Sequence, residues 1–474
     1  RDCLLSRGLG DVYKRQMLYQ GILMYNFGKE TEELQTFLLY SKYPDGLMLE
    51  HFSETLFRES IRLRNLIVAE EMKLGEGNIS HVIETLDTDM LNEYQIHNRL
   101  WNDFQEPQLQ ETIQTLKHVT PLERAYFERF FTFVSKEQIL NKTGGNTDPC
   151  HGFAGLWHLP LPEKLEAGNI LLGLTIRNKQ QSAPNKGYDL IELTIPQQDE
   201  DFLPNFRTGD IVICYAYHGE PDVRKEILMK GNIVSIFPDR LTVLLRNGQQ
   251  NKEIIGGADE VFAIEHDSSD VSATSGMRGL YAFLAARTDR KELLLGVRPP
   301  SRNPELRLNG SYGRFNELIL KEKQSTDYFL LVGPPGTGKT SCALRYMVEE
   351  ALTEPDTSIL LLSYTNRAVD EICHMLVSSG IAAHTPFIRI GNELSCDSRY
   401  VPYLLKYSLN DCPKLKDIQQ RILDTRIFVG TTTAINNRLN LFSLKPFSLA
   451  IIDEASQILE PCLLYTSPSP RDKR

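Results

Sequence analysis

A phosphate-binding loop, with the strand and helix that flank it, is the feature that most constrains how this chain folds. The apolar run at 328–332 leads directly into the motif GPPGTGKT at 333–340, and residues 343–351 have helical spacing. Glycine lets backbone N–H groups turn toward phosphate oxygens, lysine adds positive charge, and the threonine hydroxyl is a ligand for magnesium. Because strand, loop and helix occur in order, the pattern predicts a nucleoside triphosphate site rather than a chance Gly/Pro turn.

A second motif follows another apolar run, residues 449–452, and begins with Asp453 and Glu454. At the C-terminal end of a parallel strand, one carboxylate reaches the magnesium held by Thr340, and its neighbour orients and deprotonates the attacking water. We therefore predict Asp453 as a metal ligand and Glu454 as the general base. Gln457, one helical turn on, is placed to hydrogen-bond the γ-phosphate or the water. The alternative is that these acids only begin a helix, where the helix dipole favours negative charge. Because the chain also has a complete phosphate loop, this alternative is less favoured.

Both chain ends resemble a transposon-based sequencing-library adapter read in frame. Residues 6–16 and 462–472 can be encoded by opposite strands of one DNA sequence. We therefore expect 1–16 and 462–474 to be adapter-derived tails on a protein-derived part that is cut at both ends. The tails carry seven basic and three acidic residues, so the remainder has a net charge near −14 instead of −10. Nucleic-acid binding by such a chain requires its positive charge to be concentrated locally.

Cysteine spacing and hydropathy disfavour a metal centre and a membrane span. Between the tails the cysteines are Cys150, Cys214, Cys342, Cys373, Cys396 and Cys412. Since none forms a CxxC pair, we expect reduced thiols in a cytoplasmic protein, with no zinc or iron–sulfur site in this part of the chain. The chain has no run of eighteen apolar residues, so we expect no membrane partner. We expect a monomer.

The region 17–150 has helical periodicity and little chemistry. Apolar positions at 52–68 and at 122–134 predict two amphipathic helices, and their aromatic stripes are typical of a core. The second helix follows the start signal Thr120-Pro121. We predict a helical region that ends at the turn cluster 144–149.

One acidic pattern in this region invites comparison with a nuclease motif. Pro44-Asp45 precedes Glu50, but Phe52 stands where such a motif needs lysine. A loop followed by a helix start is therefore the favoured interpretation. A remnant of an upstream nuclease module stays open as a possibility for this part of the chain.

Beyond the turn cluster the hydrophobic period changes to two. Short strands separated by Gly, Pro, Asn and Asp are predicted at 169–176, 188–195, 210–217, 225–237, 241–246 and 261–265. Their regular spacing favours a small antiparallel barrel or curled sheet. With a helix at 276–287, this predicts a β-barrel domain over 151–300. Its role stays open between a nucleic-acid clamp and a spacer or protein-docking surface.

From residue 301 to 461 the pattern is α/β. Apolar strands at 328–332, 358–363, 427–430 and 449–452 alternate with helices at 314–323, 343–351 and 368–379. Such alternation requires a parallel sheet covered on both faces, so we predict a RecA-like P-loop NTPase domain here.

Two of these strands deliver hydroxyl and amide side chains to the loops that follow them. The residues are Thr365, Asn366, Thr431, Thr432 and Thr433. Parallel strands share their C-terminal edge, so both loops should emerge beside the phosphate loop. Small donors and free backbone N–H groups there suit contacts with a sugar-phosphate backbone. Helix capping is the alternative role of these residues.

Together these segments resemble a known family. The phosphate loop, LSYTNRAVDEI at 362–372, GTTTA at 430–434 and IIDEASQ at 451–457 look like motifs I, Ia, Ic and II of superfamily 1 helicases. The group is the up-frameshift-like one that includes the replication nuclease-helicase. The barrel also resembles that group's 1B domain, although this match is weaker.

The resemblance implies ATP and Mg²⁺ as cofactors and single-stranded DNA or RNA as partner, with 5′ to 3′ translocation. It implies that Lys339, Thr340, Asp453, Glu454 and Gln457 carry ATP hydrolysis. One departure is Tyr312, which replaces the glutamine of the family's adenine-recognition element; its ring is a candidate to stack on the base. The residues expected to bind the nucleotide are Gly333, Pro334, Pro335, Gly336, Thr337, Gly338, Lys339, Thr340, Ser341 and Tyr312.

We therefore expect the N-terminal half of an ATP-dependent helicase or translocase. Since the chain ends just after motif II, we expect the second RecA-like domain to be missing and hydrolysis by this fragment to be weak. The alternative is a P-loop ATPase that acts as a nucleotide-dependent interaction switch, which leaves the paired hydroxyl loops unexplained.

Overall fold

The structure is a computed structural model that describes residues 15–25, 27–39, 46–92, 95–144, 153–184, 186–197, 204–257, 259–267, 271–334, 336–438 and 440–462. Nearly all of both expected tails, the pair Pro44-Asp45 and most of the 144–149 turn cluster lie outside these residues. The chain divides into two compact units. One comprises Arg1–Asn78 with Ser135–Ser269, and the other comprises Ile79–Val134 with Asp270–Arg474. The domain boundaries predicted at 150 and 300 stay predictions.

The first unit begins with a helix at 15–25 and a two-stranded antiparallel sheet of β1 (Thr36–Leu39) and β2 (Leu47–Glu50). The long helix predicted from position 52 runs over Glu54–Gly75. It begins there because the Ser53 hydroxyl accepts a hydrogen bond from the backbone N–H of Leu56. The other helices of this unit are Thr31–Glu33, Phe153–His158, Leu161–Glu166 and Lys252–Ile255.

A closed six-stranded barrel forms the centre of the first unit. Its strands, in chain order, are β3 (Ile170–Gln180), β4 (Tyr188–Thr194), β5 (Ile211–Tyr217), β6 (Met229–Ile236), β7 (Arg240–Gln249) and β8 (Val261–His266). Around the barrel they follow the order β3-β4-β7-β6-β5-β8. The prediction of a barrel is confirmed, since each predicted strand lies on an observed one.

The barrel forms because its strands turn one side toward a common core, while β5 and β8 are buried on both sides. Along β4 and the first part of β7, every second residue is buried. These inward residues make one apolar core, to which each strand contributes; examples are Leu171, Ile191, Val212, Ile233, Val243 and Phe262.

The second unit contains most of the helices. In chain order they are Ile79–Thr85, Thr88–Leu91, Trp101–Gln105, Glu106–Lys117, Val271–Leu284, Thr288–Leu294, Gly313–Phe315, Asn316–Gln324, Lys339–Leu344, Arg345–Leu352, Asn366–Ser378, Ile381–His384, Glu393–Ser395, Ser398–Tyr403, Leu405–Ser408, Leu415–Asp424, Thr432–Asn436, Asn440–Leu444 and Ala455–Gln457. A helix over Pro121–Thr143 contributes residues to both units. It matches the helix predicted after Thr120-Pro121.

A parallel sheet of four strands organises the second unit. The strands are β9 (Ile359–Ser363), β10 (Phe387–Ile390), β11 (Ile427–Thr431) and β12 (Leu449–Ile452), in the order β10-β11-β9-β12. Buried residues on the two faces of the sheet form two separate apolar clusters. The mixed α/β class with a parallel sheet and a barrel is therefore confirmed. The short strand β10 was not predicted, because Arg389 interrupts its apolar run.

Residues 328–332 are not a strand of this sheet, so that prediction is wrong. Tyr328 is 48% exposed, Leu330 76% and Val332 94%, whereas Phe329 packs into the interior. Among the described residues, β12 pairs with β9 and not with the 328–332 run. An apolar run favours a strand, but a strand forms only where its N–H and C=O groups pair with a neighbour, and the described residues show no such pairing here.

Within the described residues, no helix combines the length and the apolar character that crossing a bilayer requires.

Candidate nucleotide site and adjoining loops

The phosphate loop has the backbone conformation that its glycines predict. Gly336 has φ of +79° and Gly338 has φ of +83°, values that favour glycine strongly over any other residue. Inside the loop, the Thr337 hydroxyl donates to the carbonyl of Pro334 at 2.7 Å. Pro335 lies outside the described residues. Such left-handed positions let successive N–H groups face one concavity, which is what an anion requires.

Lys339 and the helix after it lie directly beyond the loop. The Lys339 ammonium donates to the carbonyl of Gly333, so its charge is held over the loop. The backbone N–H groups of Cys342 and Ala343 both donate to the carbonyl of Gly338, in a π-type first turn at Lys339–Leu344. The N-terminus of this helix therefore follows immediately after the loop, as an anion site of this kind requires. Ser341, the last predicted phosphate contact, is exposed there.

The structure joins the phosphate loop to the acidic motif through one hydrogen bond. The Thr340 hydroxyl donates to Asp453 Oδ2 at 2.7 Å. Asp453 is positioned because its own backbone N–H donates to the carbonyl of Leu362 at 2.8 Å, at the C-terminal end of β12. A hydroxyl and a carboxylate that converge in this way are oxygen ligands of the kind Mg²⁺ binds. The two predicted metal ligands therefore fit a magnesium ion.

Glu454 and Gln457 lie beside Asp453 and contact each other. Glu454 has φ of +54°, a left-handed conformation that is uncommon for a residue with a side chain. Its backbone N–H donates to Asp453 Oδ1 at 3.0 Å, and the Gln457 amide donates to Glu454 Oε2 at 3.0 Å. Strained backbone of this kind is concentrated at functional sites. The structure thus brings the predicted general base and the predicted amide together.

The loops after β9 and β11 leave the sheet side by side. Ser363 is paired with Thr431 in the register of the two strands, so the residues that follow them share one edge. Thr365 and Thr431 cap the helices after them, accepting from the backbone N–H groups of Ala368 at 3.2 Å and Ala434 at 3.1 Å. Capping is therefore present in both loops.

The remaining residues of these loops differ in accessibility. Asn366 and Thr433 are exposed, whereas Thr432 is buried. Asn366, Thr433 and the capping residue Thr365 therefore present side chains to solvent. The predicted contact of all five residues with a nucleic-acid strand stays a prediction.

Tyr312 lies in the interior. It is 8% exposed, packs against Ile319 and Met347, and donates its hydroxyl to Glu350 Oε2 at 2.8 Å. Burial and the bond to Glu350 raise the pKa of the tyrosine hydroxyl. In this structure the ring is packed among side chains, and its contact with a nucleotide base stays a prediction.

The sequence did not predict a role for Glu350, which accepts from Tyr312, or for Lys323, which contacts Glu350. Lys323 Nζ donates to Glu350 Oε1 at 2.6 Å. The available signal was position: Glu350 lies three residues after the buried Met347, on the inward side of a helix where an acid is unexpected.

A strand-end carboxylate bound to the hydroxyl of a phosphate loop, on a parallel sheet, defines a P-loop NTPase type of site. A family model described as an AAA domain matches residues 316–414, which include the phosphate loop, β9 and β10.

The names of similar proteins describe a narrower class than this family model does. The chain is 28% identical to the DNA replication ATP-dependent helicase/nuclease JHS1 of Arabidopsis thaliana over 282 residues, which cover 55% of this chain and 20% of that protein. It is 26% identical to the DNA replication ATP-dependent helicase/nuclease DNA2 of Gallus gallus over 376 residues, which cover 73% of this chain and 35% of the relative. To DNA2 of Homo sapiens it is 34% identical over 146 residues, 30% of this chain and 13% of the relative.

The family model and these relatives support a superfamily 1 helicase-like protein. They do not favour the alternative of a nucleotide-dependent interaction switch. The aligned part of the chain spans about a fifth to a third of the Arabidopsis and chicken relatives.

Proposed function

We propose that this chain is part of an ATP-driven motor that acts on single-stranded nucleic acid. The observation that carries the proposal is the hydrogen bond between Thr340 and Asp453, because it assembles a phosphate loop and a strand-end carboxylate into one site. The loops after β9 and β11 leave the same sheet edge, which supports a strand-binding role beside the nucleotide. The relatives, named as ATP-dependent helicases of DNA replication, support the same activity.

Each residue of the site has a chemical role in this proposal. Lys339 and the loop N–H groups would neutralise the β- and γ-phosphates. Thr340 and Asp453 would hold Mg²⁺, which would supply further positive charge beside the phosphates. Glu454 takes the proton from the attacking water. Gln457, bonded to Glu454 at 3.0 Å, lies near enough to the base to orient that water or the γ-phosphate.

We assign the binding of the nucleic-acid strand to contacts with its sugar-phosphate backbone. Asn366 and Thr433 offer exposed polar side chains, and N–H groups at the starts of the two helices are natural partners for phosphate oxygens. Thr365, Thr431 and Thr432 would shape these loops. Such contacts hold a strand without reading its sequence, as a translocating motor requires.

The finer assignments belong to the same proposal. We assign a RecA-like fold to 301–461, a barrel domain to 151–300 and a helical region to 17–150, and a cytoplasmic location that rests on the predicted free thiols. The names of the relatives also include a nuclease activity. We assign no nuclease site to the 17–150 region, because Phe52 stands where the compared motif needs lysine.

The test is ATP hydrolysis by the whole motor to which we propose this chain belongs, measured with and without a single-stranded oligonucleotide, together with oligonucleotide binding over a salt series. We expect the strand to stimulate hydrolysis, and Lys339→Ala and Glu454→Gln to abolish it. Strand affinity should fall steeply between about 50 and 200 mM salt, since phosphate contacts release counterions. Equal hydrolysis rates with and without the strand, or strand binding that salt does not change, would contradict the proposal.

A further inference from the structure

Glu350 is a buried carboxylate that the proposed chemistry does not use. It is 2% exposed and lies on the helix Arg345–Leu352, which continues the π-type turn that begins at Lys339. At a rise of about 1.5 Å per residue, it lies roughly 16 Å along that helix from Lys339. A buried charge this far from the phosphates needs partners of its own.

Four donors from two other parts of the chain meet this carboxylate. Oε1 accepts from the Lys323 ammonium at 2.6 Å and from the backbone N–H of Asn309 at 2.8 Å. Oε2 accepts from the Tyr312 hydroxyl at 2.8 Å and from the backbone N–H of Gly310 at 2.9 Å. Lys323 belongs to the helix Asn316–Gln324, and the other three belong to the segment 309–312. The carboxylate therefore fastens that segment and one helix to the helix that runs from Lys339 to Leu352, here called the phosphate helix.

The charge state of Glu350 agrees with this arrangement. Burial raises the pKa of the carboxyl, but the hydrogen bonds from Lys323, Asn309, Tyr312 and Gly310 outweigh burial and leave the pKa at about 2. Glu350 is thus ionised at neutral pH, and all four bonds are charge-assisted.

Packing adds a second set of contacts between the same elements. The Tyr312 ring lies 5.2 Å from the Tyr346 ring and contacts Met347, both on the phosphate helix. A Cβ added at Gly310 would lie 2.3 Å from the Tyr312 hydroxyl, so a larger residue there would have to displace the tyrosine ring. The Asn309 amide also donates to Thr353 Oγ1 at 2.9 Å, one turn beyond Glu350.

We propose that Glu350 is a positioning residue of the nucleotide site, which fixes the helix carrying Lys339 and Thr340 against the 309–312 segment. The inference rests on the proposed function, since it assigns nucleotide binding to that helix. Thr340 is bonded to Asp453 near the start of the helix and Glu350 to the segment near its end. With both ends held, the N–H groups, the ammonium and the hydroxyl at the start keep one orientation toward a triphosphate.

Calorimetric titration of the chain with Mg²⁺ and a non-hydrolysable ATP analogue tests the proposal, because it measures affinity and binding stoichiometry separately. For Glu350→Gln we expect the Kd to rise about tenfold at unchanged stoichiometry, the usual effect of losing a partner that orients a binding group. A residue that served only folding would instead lower the stoichiometry and leave the Kd of the folded fraction unchanged.

Two further variants keep the test decisive. Tyr312→Phe removes one of the four donors without loss of ring volume, so the Kd should rise by a smaller factor of about threefold to fivefold. Glu349→Gln is the matched control: its carboxylate is on the same helix but pairs with Arg345 at 2.7 Å, and its Kd should equal that of the unaltered chain.

The outcomes separate the two proposals. If the unaltered chain does not bind the analogue, the proposed function fails. If it binds, Lys339→Ala does not, and Glu350→Gln binds like the unaltered chain, the positioning role of Glu350 is wrong while the proposed function stands. If Glu350→Gln does not fold, Tyr312→Phe decides, and an unchanged Kd for that variant overturns the inference.

Discussion

The hydroxyl of Thr340 donates to Asp453 Oδ2 at 2.7 Å and thereby joins two motifs that lie 113 residues apart in the chain. Sequence places Thr340 at the end of the phosphate loop and Asp453 at the start of the acidic motif, but only folding brings the two oxygens together. The same carboxylate accepts from the backbone N–H of Glu454 through its other oxygen. One side chain thus connects the phosphate loop with the proposed base.

The first prediction concerns Asp453. Asp453→Asn keeps the size of the side chain but removes its charge, so we expect the gain in nucleotide affinity that Mg²⁺ brings to fall by about tenfold or more. The measurement is the Kd of an ATP analogue with Mg²⁺ and with EDTA. In EDTA the variant and the unaltered chain should bind alike; an unchanged response to Mg²⁺ would show that Asp453 is not a ligand.

Alanine variants of Thr431 and Thr433 should distinguish a structural role from a role in binding the nucleic-acid strand. Thr431 is buried and caps the helix Thr432–Asn436, so Thr431→Ala should lower the free energy of unfolding by about 1 kcal/mol. Thr433 is exposed, so Thr433→Ala should leave stability nearly unchanged but weaken oligonucleotide binding about fivefold, the equivalent of one hydrogen bond.

Thermal unfolding and oligonucleotide binding together check this contrast. Thr425→Ala is the control, because Thr425 lies before β11, at the opposite end of that strand, and bonds locally to the carbonyl of Arg421. Loss of strand affinity in this control equal to that of Thr433→Ala would argue against the assigned edge.

Glu322 should make stability depend on pH near neutrality. Burial and the nearby charge of Glu350 raise the pKa of Glu322 to about 7, against the opposing charge of Lys323. The folded state therefore favours the protonated acid, so stability is greatest below the ordinary pKa of glutamate, about 4.3, and declines as pH rises through 7. Glu322→Gln should remove this decline and raise the free energy of unfolding at pH 8 by about 2 kcal/mol.

Denaturant unfolding at pH 5 and pH 8 measures that effect. Glu317→Gln serves as the control, because Glu317 forms an exposed pair with Lys321 on the same helix. If Glu322→Gln and the unaltered chain lose stability equally between the two pH values, the raised pKa is wrong.

Asp327 should make the free energy of unfolding rise with pH, which is opposite to the effect of Glu322. It accepts from Arg298 at 2.7 Å, from Arg290 at 3.0 Å and from the backbone N–H of Ser301 at 2.8 Å, just before the segment that leads to the phosphate loop. The hydrogen bond from Arg298 is the main reason that the pKa of Asp327 lies well below its ordinary value, although burial opposes the shift.

A lowered pKa means that this stability is present above the ordinary pKa of aspartate, about 3.9, and is lost as pH falls through the folded value. Asp327→Asn should therefore lower the free energy of unfolding at pH 7 by about 2 kcal/mol, with a smaller difference in strong acid. Asp289→Asn, which removes an exposed pair with Arg287, is the control and should change stability little.

Local pattern determined much of the fold. The barrel strands were found because alternation of period two reports directly which residues face a core, and turn residues separate them clearly. The motif residues were found because phosphate and magnesium chemistry demands particular residue types at fixed spacing. Those demands act within a few residues, so they are visible in one sequence.

What only the tertiary structure decided concerns partners that are distant in the chain. Residues 328–332 have a strand-like composition, yet they pair with no described strand, because pairing depends on a neighbour and not on the run itself. Tyr312 has the residue type of a stacking platform, yet its hydroxyl meets Glu350, 38 residues away.

By itself, then, the sequence determined that this chain has a phosphate loop, an acidic motif, two hydroxyl loops and a barrel. The tertiary structure decided that Thr340 meets Asp453 and that Glu350 collects donors from two other parts of the chain. The physical reason is the range of the forces involved: backbone preference and side-chain periodicity act locally, whereas hydrogen bonds and burial depend on which distant residues folding brings together.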